Sequence, residues 1–363
     1  MGGRYSAGVV SAVYDQYREF RYFPGLDGVR ALAVLAVITV HVGDNSVYGA
    51  WAWLGGESGV ALFFVLSGFL ITTLALREES ERGSLSLKAF YIRRTLRIFP
   101  AYYYVLGLSV LLCATVGGGL WSDMKEALPY YLLYLGEYAP GAHFYHSWSL
   151  GIEEKFYLVW PPVCFILLRG QKGLRFAAAG LLSLAPVVIP ISWGGYPRIM
   201  AGCVLALALH EPAVYRMLRR ALVGWLAPAL LVGGHALAYA GEIRPGWQQP
   251  VYTLTILYFF AVLLVRRPVW MRLLEWAPLR YIGRRSYGIY LVQLLAIPIG
   301  TFLPLGSGLW WIETANVISS TLVAIVAAEI LYRVIEKVPQ QWGQKTSRRV
   351  LERISLAPQT ERA

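Results

Sequence analysis

The chain has 363 residues, of which 57% are hydrophobic and 15% charged, and its mean hydropathy is +0.50. A soluble domain carries about 25% charged residues, so the composition excludes a chain that meets water all round. The net charge of +12 raises nucleic acid as a partner, but the charge is placed for membrane orientation, and no nucleic-acid partner is expected.

In chain order, the first 21 residues are polar and aromatic, without the pattern of a cleaved signal peptide, and read as a cytoplasmic segment. A spanning helix needs roughly 17–25 mostly apolar residues. Such runs predict spans near 29–48, 58–76, 98–117, 151–168, 174–191, 196–211, 221–240, 250–265, 286–305 and 311–334. The stretch 127–147 is apolar but interrupted by Pro129, Gly136, Pro140 and Gly141, and reads as an outside or re-entrant segment. The tail 340–363 is polar and basic, either a surface helix or an unstructured segment. With ten spans and the N-terminus inside, 29 of the 33 Lys and Arg fall on the cytoplasmic side, leaving Lys125, Lys155, Arg198 and Arg244 opposite. The expected fold is an all-α, polytopic membrane bundle of about ten helices with both termini cytoplasmic, its membrane domain covering 22–339. No internal repeat is visible, so the signature of many transporters is missing.

Polar residues inside a bilayer are costly and mark function by default. In the first span, Arg30 and His41 are eleven helical steps apart, which returns them to within about 20° of one face and about 16 Å along the axis. Arg30 stands at the cytoplasmic interface and His41 deep or toward the far side. An imidazole there can act as general base on an alcohol; the alternative is a histidine bonded to a neighbouring helix. Arg93-Arg94-Thr-Leu-Arg97-Ile-Phe-Pro100 leads into the third span, with Arg94 and Arg97 on one face. That cluster suits a polyanionic donor such as the phosphates of coenzyme A, or serves orientation and anionic lipid binding.

His146-Ser-Trp148-Ser149-Leu-Gly-Ile-Glu153-Glu154-Lys155-Phe-Tyr157 opens the fourth span. Its two acids form a cap, or Glu153 orients His41. Ser67-Gly68 allows close helix approach, and a nucleophilic Ser67 lacks the G-x-S-x-G context. His143 and His146 have a metal-like spacing, but no acidic or cysteine partner completes a set, and no metal is expected. Cys113, Cys164 and Cys203 lie in apolar runs without paired spacing, which argues against disulfides.

In combination these elements resemble the acyltransferase-3 family of bacterial membrane O-acyltransferases, from about Tyr22 to Pro339. Asp27-Gly28-Val29-Arg30 followed by His41 is similar to the family's Arg-x10-His motif, and Phe63 to Phe69 to its FFxLSGF element. Arg94, Arg97, Ile98 and Pro100 resemble RxxR-I-x-P, and Trp148 to Tyr157 resembles WSLSVEEQFY. Ser286-Tyr287-Gly288-Ile-Tyr290-Leu and Tyr332-Arg-Val-Ile-Glu336-Lys-Val-Pro339 match the late motifs. The resemblance implies a multi-pass enzyme of the bacterial cytoplasmic membrane that moves an acyl group from acyl-coenzyme A, as substrate rather than resident cofactor, to a sugar hydroxyl. His41 is then the base or acyl carrier, with Arg30 essential and Glu153 in support. Arg93, Arg94, Arg97 and Ser67 serve the donor. Asp27, Trp148, Ser149, Tyr157, Ser286 and Tyr287 serve the acceptor, a carbohydrate, glycoside or macrolide-type alcohol. Many members have a histidine where this chain has Gln293. Larger members append a secreted hydrolase-like domain that this sequence lacks, which implies transfer alone or with a partner. A glycan transporter without transfer activity is the rival reading, and oligomeric state has no signal.

Overall fold

The computed structural model describes residues 7–20, 22–23, 25–42, 56–188, 194–239, 248–301 and 310–356. Among them the chain is helical, with no strand. The helices are α1 (Ala7–Glu19), α2 (Leu26–Val42), α3 (Gly56–Arg82), α4 (Leu87–Val116), α5 (Gly118–Leu132), α6 (Trp148–Pro162), α7 (Lys172–Val188) and α8 (Tyr196–His210). There follow α9 (Pro212–Ala221), α10 (Leu226–Tyr239), α11 (Gln248–Val265), α12 (Met271–Leu274), α13 (Ala277–Gly300), α14 (Trp310–Leu331) and α15 (Lys337–Leu356).

Each of the ten apolar runs overlaps a helix; their parts at 43–48, 189–191, 240 and 302–305 lie outside the described residues, and residues 222–225 interrupt the seventh. Four helices are long and apolar enough to cross a membrane: α3, α4, α11 and a continuous helix Trp310–Ile354 that contains α14 and most of α15. The pair α9 and α10 meets the same test jointly but is bent by 87°. In α6, Pro161 and Pro162 withhold two amide donors. The ladder then slips by one residue into a π turn, Val163–Leu167, closed by the Leu168 amide on the Val163 carbonyl at 3.0 Å.

The chain forms two compact units. The first comprises Met1–Val40, Trp51–Glu81 and Phe156–Arg284; the second comprises His41–Ala50, Arg82–Lys155 and Arg285–Ala363. In the first, α3 and α8 cross at backbone contact distance. A Cβ on Gly68 would lie 1.9 Å from the Ile199 carbonyl oxygen, and one on Gly202 would lie 2.1 Å from that of Val65. Only glycine at both positions permits the crossing. The N-terminal segment is also part of this core. Tyr14 and Tyr17 of α1 pack their rings 5.3 and 5.1 Å from Tyr215 of α9. Arg77 donates to the carbonyls of Tyr17 and Phe20 and lies over the Phe23 ring. A bidentate pair joins the buried Arg175 to the half-buried Glu79 at 2.7 and 2.8 Å.

In the second unit α15 packs along α4. Gly343 fits against Leu96, and Arg93 donates to the buried Ser347 hydroxyl at 2.5 Å. The basic tail is thus a helix as far as Leu356, docked on its partner. The segment expected to break at Pro129 is helical through Leu132, with that proline inside α5. The helix stops at Tyr134, whose φ of 57° is left-handed and disfavoured for a tyrosine. Stacking on Tyr102, with ring centroids 4.0 Å apart, and the Lys155 ammonium on the Tyr134 carbonyl at 2.9 Å hold it there.

Candidate active site

Two short 3-10 turns, Gly136–Tyr138 and Tyr145–Ser147, carry the chain of the second unit into α6. The second turn places His146 almost wholly inside, 1% exposed. Its Nε2 lies 3.2 Å from the Leu291 carbonyl oxygen on α13. A carbonyl only accepts, so Nε2 carries the proton and Nδ1 is left as a bare acceptor. The Tyr290 hydroxyl donates to the His146 carbonyl at 2.6 Å, so the 2.7 Å contact with Ser149 is donated by the serine. Turn, helix entrance and α13 are thereby locked together.

His41 ends α2 at this turn. Its ring lies 5.9 Å from that of the exposed Tyr145, whose ring is in turn 6.4 Å from that of His146. Two imidazoles therefore flank one phenol ring. His146 lies within electrostatic reach of both His41 and His143, and burial, reinforced by these two neighbours, holds its pKa far below the ordinary value. It is neutral at physiological pH. Glu153 lies within electrostatic reach of the Tyr287 and Tyr290 hydroxyls, and Trp148 opens α6 beside the turn. Ser286 is buried on α13, and Tyr287 donates to the Ile98 carbonyl of α4 at 2.8 Å.

The guanidinium cluster of α4 fans out rather than converging. Arg93 bonds Ser347, Arg94 lies within electrostatic reach of Glu154, and Arg97 is exposed within reach of Glu336. Arg285 pairs with Glu329 at 2.7 Å and stacks on Tyr332, and Arg333 joins the same carboxylate at 2.6 Å.

The remaining sequence candidates belong to the first unit. Asp27, 6% exposed, is enclosed by Tyr22 at 2.9 Å, Arg284 at 3.3 Å and Arg30 at 3.8 Å. Ser67 takes a long hydrogen bond of 3.4 Å from the Tyr157 hydroxyl, one residue before the close approach of Gly68. Arg30 and His41 share the uninterrupted helix α2, as their spacing requires. Sequence reasoning missed the bond from His146 to Leu291, the Tyr145 ring and the Tyr290 clamp, whose partners are remote in sequence; the His-Ser-Trp-Ser run before α6 was the available signal.

A family model described as an acyltransferase domain matches residues 23–333. The chain is 29% identical over 380 residues to a Bacillus subtilis protein named "Putative peptidoglycan O-acetyltransferase YrhL", an alignment covering 93% of this chain and 58% of that one. It is 28% identical over 354 residues to the peptidoglycan O-acetyltransferase OatA of Listeria monocytogenes, covering 87% of this chain and 55% of that one. The chain spans somewhat more than half the length of these relatives. No solved structure matches.

Proposed function

The chain belongs to the acyltransferase family whose model covers residues 23–333, and from that premise we propose that it is a multi-pass membrane O-acyltransferase that acetylates a sugar hydroxyl of a cell-surface glycan, using acetyl-coenzyme A. The observation that carries this reading is the His41 imidazole set against the exposed Tyr145 ring, in a cluster of polar groups at the α6 entrance. The names of the relatives support acetyl as the group and a peptidoglycan sugar as the acceptor.

In this mechanism His41 removes the proton of the acceptor hydroxyl as its oxygen attacks the thioester carbonyl. A carbon–oxygen bond forms and the carbon–sulfur bond breaks. The thiolate of coenzyme A leaves and takes the proton back from the imidazolium. Arg94 and Arg97 hold donor phosphates, with Arg93, Arg30 and Ser67 assigned to the same partner by the family resemblance. Glu153 acts through the Tyr290 hydroxyl on the turn beside His41. Asp27, Trp148, Ser149, Tyr157, Ser286 and Tyr287 remain assigned to the acceptor. The bundle crosses the bacterial cytoplasmic membrane about ten times with both ends inside.

The test is release of coenzyme A from acetyl-coenzyme A by purified protein in the presence of the disaccharide repeat of peptidoglycan. His41→Ala is expected to abolish it. Wild-type turnover in that variant would overturn the reading.

A further inference from the structure

Burying a polar atom without a partner costs about 1–3 kcal/mol, and native interiors hold few such atoms. Around the turn Tyr145–Ser147 they accumulate. His146 Nδ1 and His143 Nε2 are buried with no hydrogen-bond partner among the described residues. Gln293 is 0% exposed, and both its carbonyl and its amide lack partners there. It lies three residues, about one helical turn, beyond Tyr290, whose hydroxyl holds the His146 carbonyl.

We infer that His146 and Gln293 are acceptor-binding residues: the bare Nδ1 of His146 receives a hydrogen bond from a second donor on the acceptor, next to the reacting hydroxyl, and the Gln293 carboxamide completes the set. This inference rests on the acyltransferase reading and narrows its substrate class. The acceptor must carry a vicinal hydroxyl or amide N–H, as an amino sugar does and a simple alcohol does not. His41 handles the proton that moves; His146, fixed as the Nε2–H tautomer by Leu291 and held neutral, handles one that stays. A site built to hydrogen-bond a substrate group rejects the analogue lacking it, because its own buried atoms are then stranded.

The structural role of His146 separates from the binding role by choice of variant. In His146→Gln the amide nitrogen reaches the Nε2 position and keeps the bond to Leu291, but nothing stands at Nδ1. In His146→Asn the amide oxygen restores an acceptor near Nδ1 and the Leu291 bond is lost. Two acceptors are compared, a sugar glycoside bearing the vicinal donor and its deoxy analogue. Wild-type protein is expected to prefer the first by at least ~10-fold in kcat/KM, the worth of about one hydrogen bond. His146→Gln is expected to lose that preference, with the KM for acetyl-coenzyme A unchanged and the melting temperature kept. His146→Asn is expected to keep the preference on a less stable protein. A preference retained in His146→Gln overturns the inference and leaves acyl transfer standing. If wild-type protein releases no coenzyme A with either acceptor, the acyltransferase reading fails instead. Titration of the peptidoglycan disaccharide into wild-type and His146→Gln protein then decides: at least ~10-fold weaker binding in the variant supports the inference, and equal binding overturns it.

Discussion

The two units treat buried polarity in opposite ways. In the first, costly groups are closed on one another: Arg175 on Glu79, Trp160 on Thr72 at 2.9 Å, Arg77 on two carbonyls, Asp27 among three partners. The exceptions, such as Thr73 Oγ1 and Arg280 Nε, belong to separate helices. In the second, the turn before α6 and the helices around it leave Tyr131, Tyr134, His143, His146 and Gln293 with open hydrogen-bonding capacity among the described residues. A satisfied network rigidifies, whereas an unsatisfied one in low dielectric is a standing cost. The first unit therefore reads as frame, and the second as the part that something else must complete.

The largest expected effect falls on the second unit. His41→Ala should lower acetyl transfer by 10²–10⁴-fold, the usual contribution of a positioned base, with the melting temperature in detergent unchanged. A comparable loss of stability would instead assign His41 to the frame. Arg175→Met tests the first unit and should cost about 2 kcal/mol, because the half-buried Glu79 carboxylate loses its two charge-assisted hydrogen bonds. Thr72→Val should cost about 2 kcal/mol by stranding the Trp160 indole N–H; both are read by denaturant unfolding.

The pH dependence sharpens the contrast. His146 has a folded pKa lowered from 6.5 by burial and by neighbouring imidazoles, so the unfolded chain binds its proton more readily than the folded one. The stability contribution is complete above about pH 6.5 and is lost as pH falls below it, by up to about 1.4 kcal/mol per pH unit. His146→Gln should flatten that slope. The smallest effect is the most diagnostic. Gln293→Leu removes a buried carboxamide that has no partner among the described residues and should raise stability by about 1 kcal/mol, while transfer activity falls. A stability loss there would mean that the carboxamide is satisfied and belongs to the frame.

The helical pattern was legible because apolar length is a local signal: among the described residues every predicted run overlaps a helix, four of them long and apolar enough to cross a membrane, and Arg30 and His41 do share one unbroken helix. The Ser67-Gly68 pair also carried its meaning locally, since a missing side chain invites close approach. What escaped depends on partners distant in the chain. Helix α1 is short and polar, and only its tyrosines at 14 and 17 hinted at an aromatic face that needs Tyr215. The arginines of α4 looked like one patch because spacing places side chains on a face but says nothing of Ser347 or Glu336 opposite. His146 and His143 invited a metal reading from their interval alone; the carbonyl that fixes the His146 tautomer lies 145 residues away.

The helix Trp310–Ile354 has 45 residues and passes through a π turn at Tyr332–Glu336, a pole of about 68 Å against a hydrocarbon layer of about 30 Å. At least half of its length must stand clear of the lipid, braced along α4 by Gly343 and Ser347. The match to the acyltransferase family model ends at residue 333, in the middle of that helix. Trimming the chain at that limit would unclasp Arg93 from Ser347 and uncover the Leu96 flank of α4.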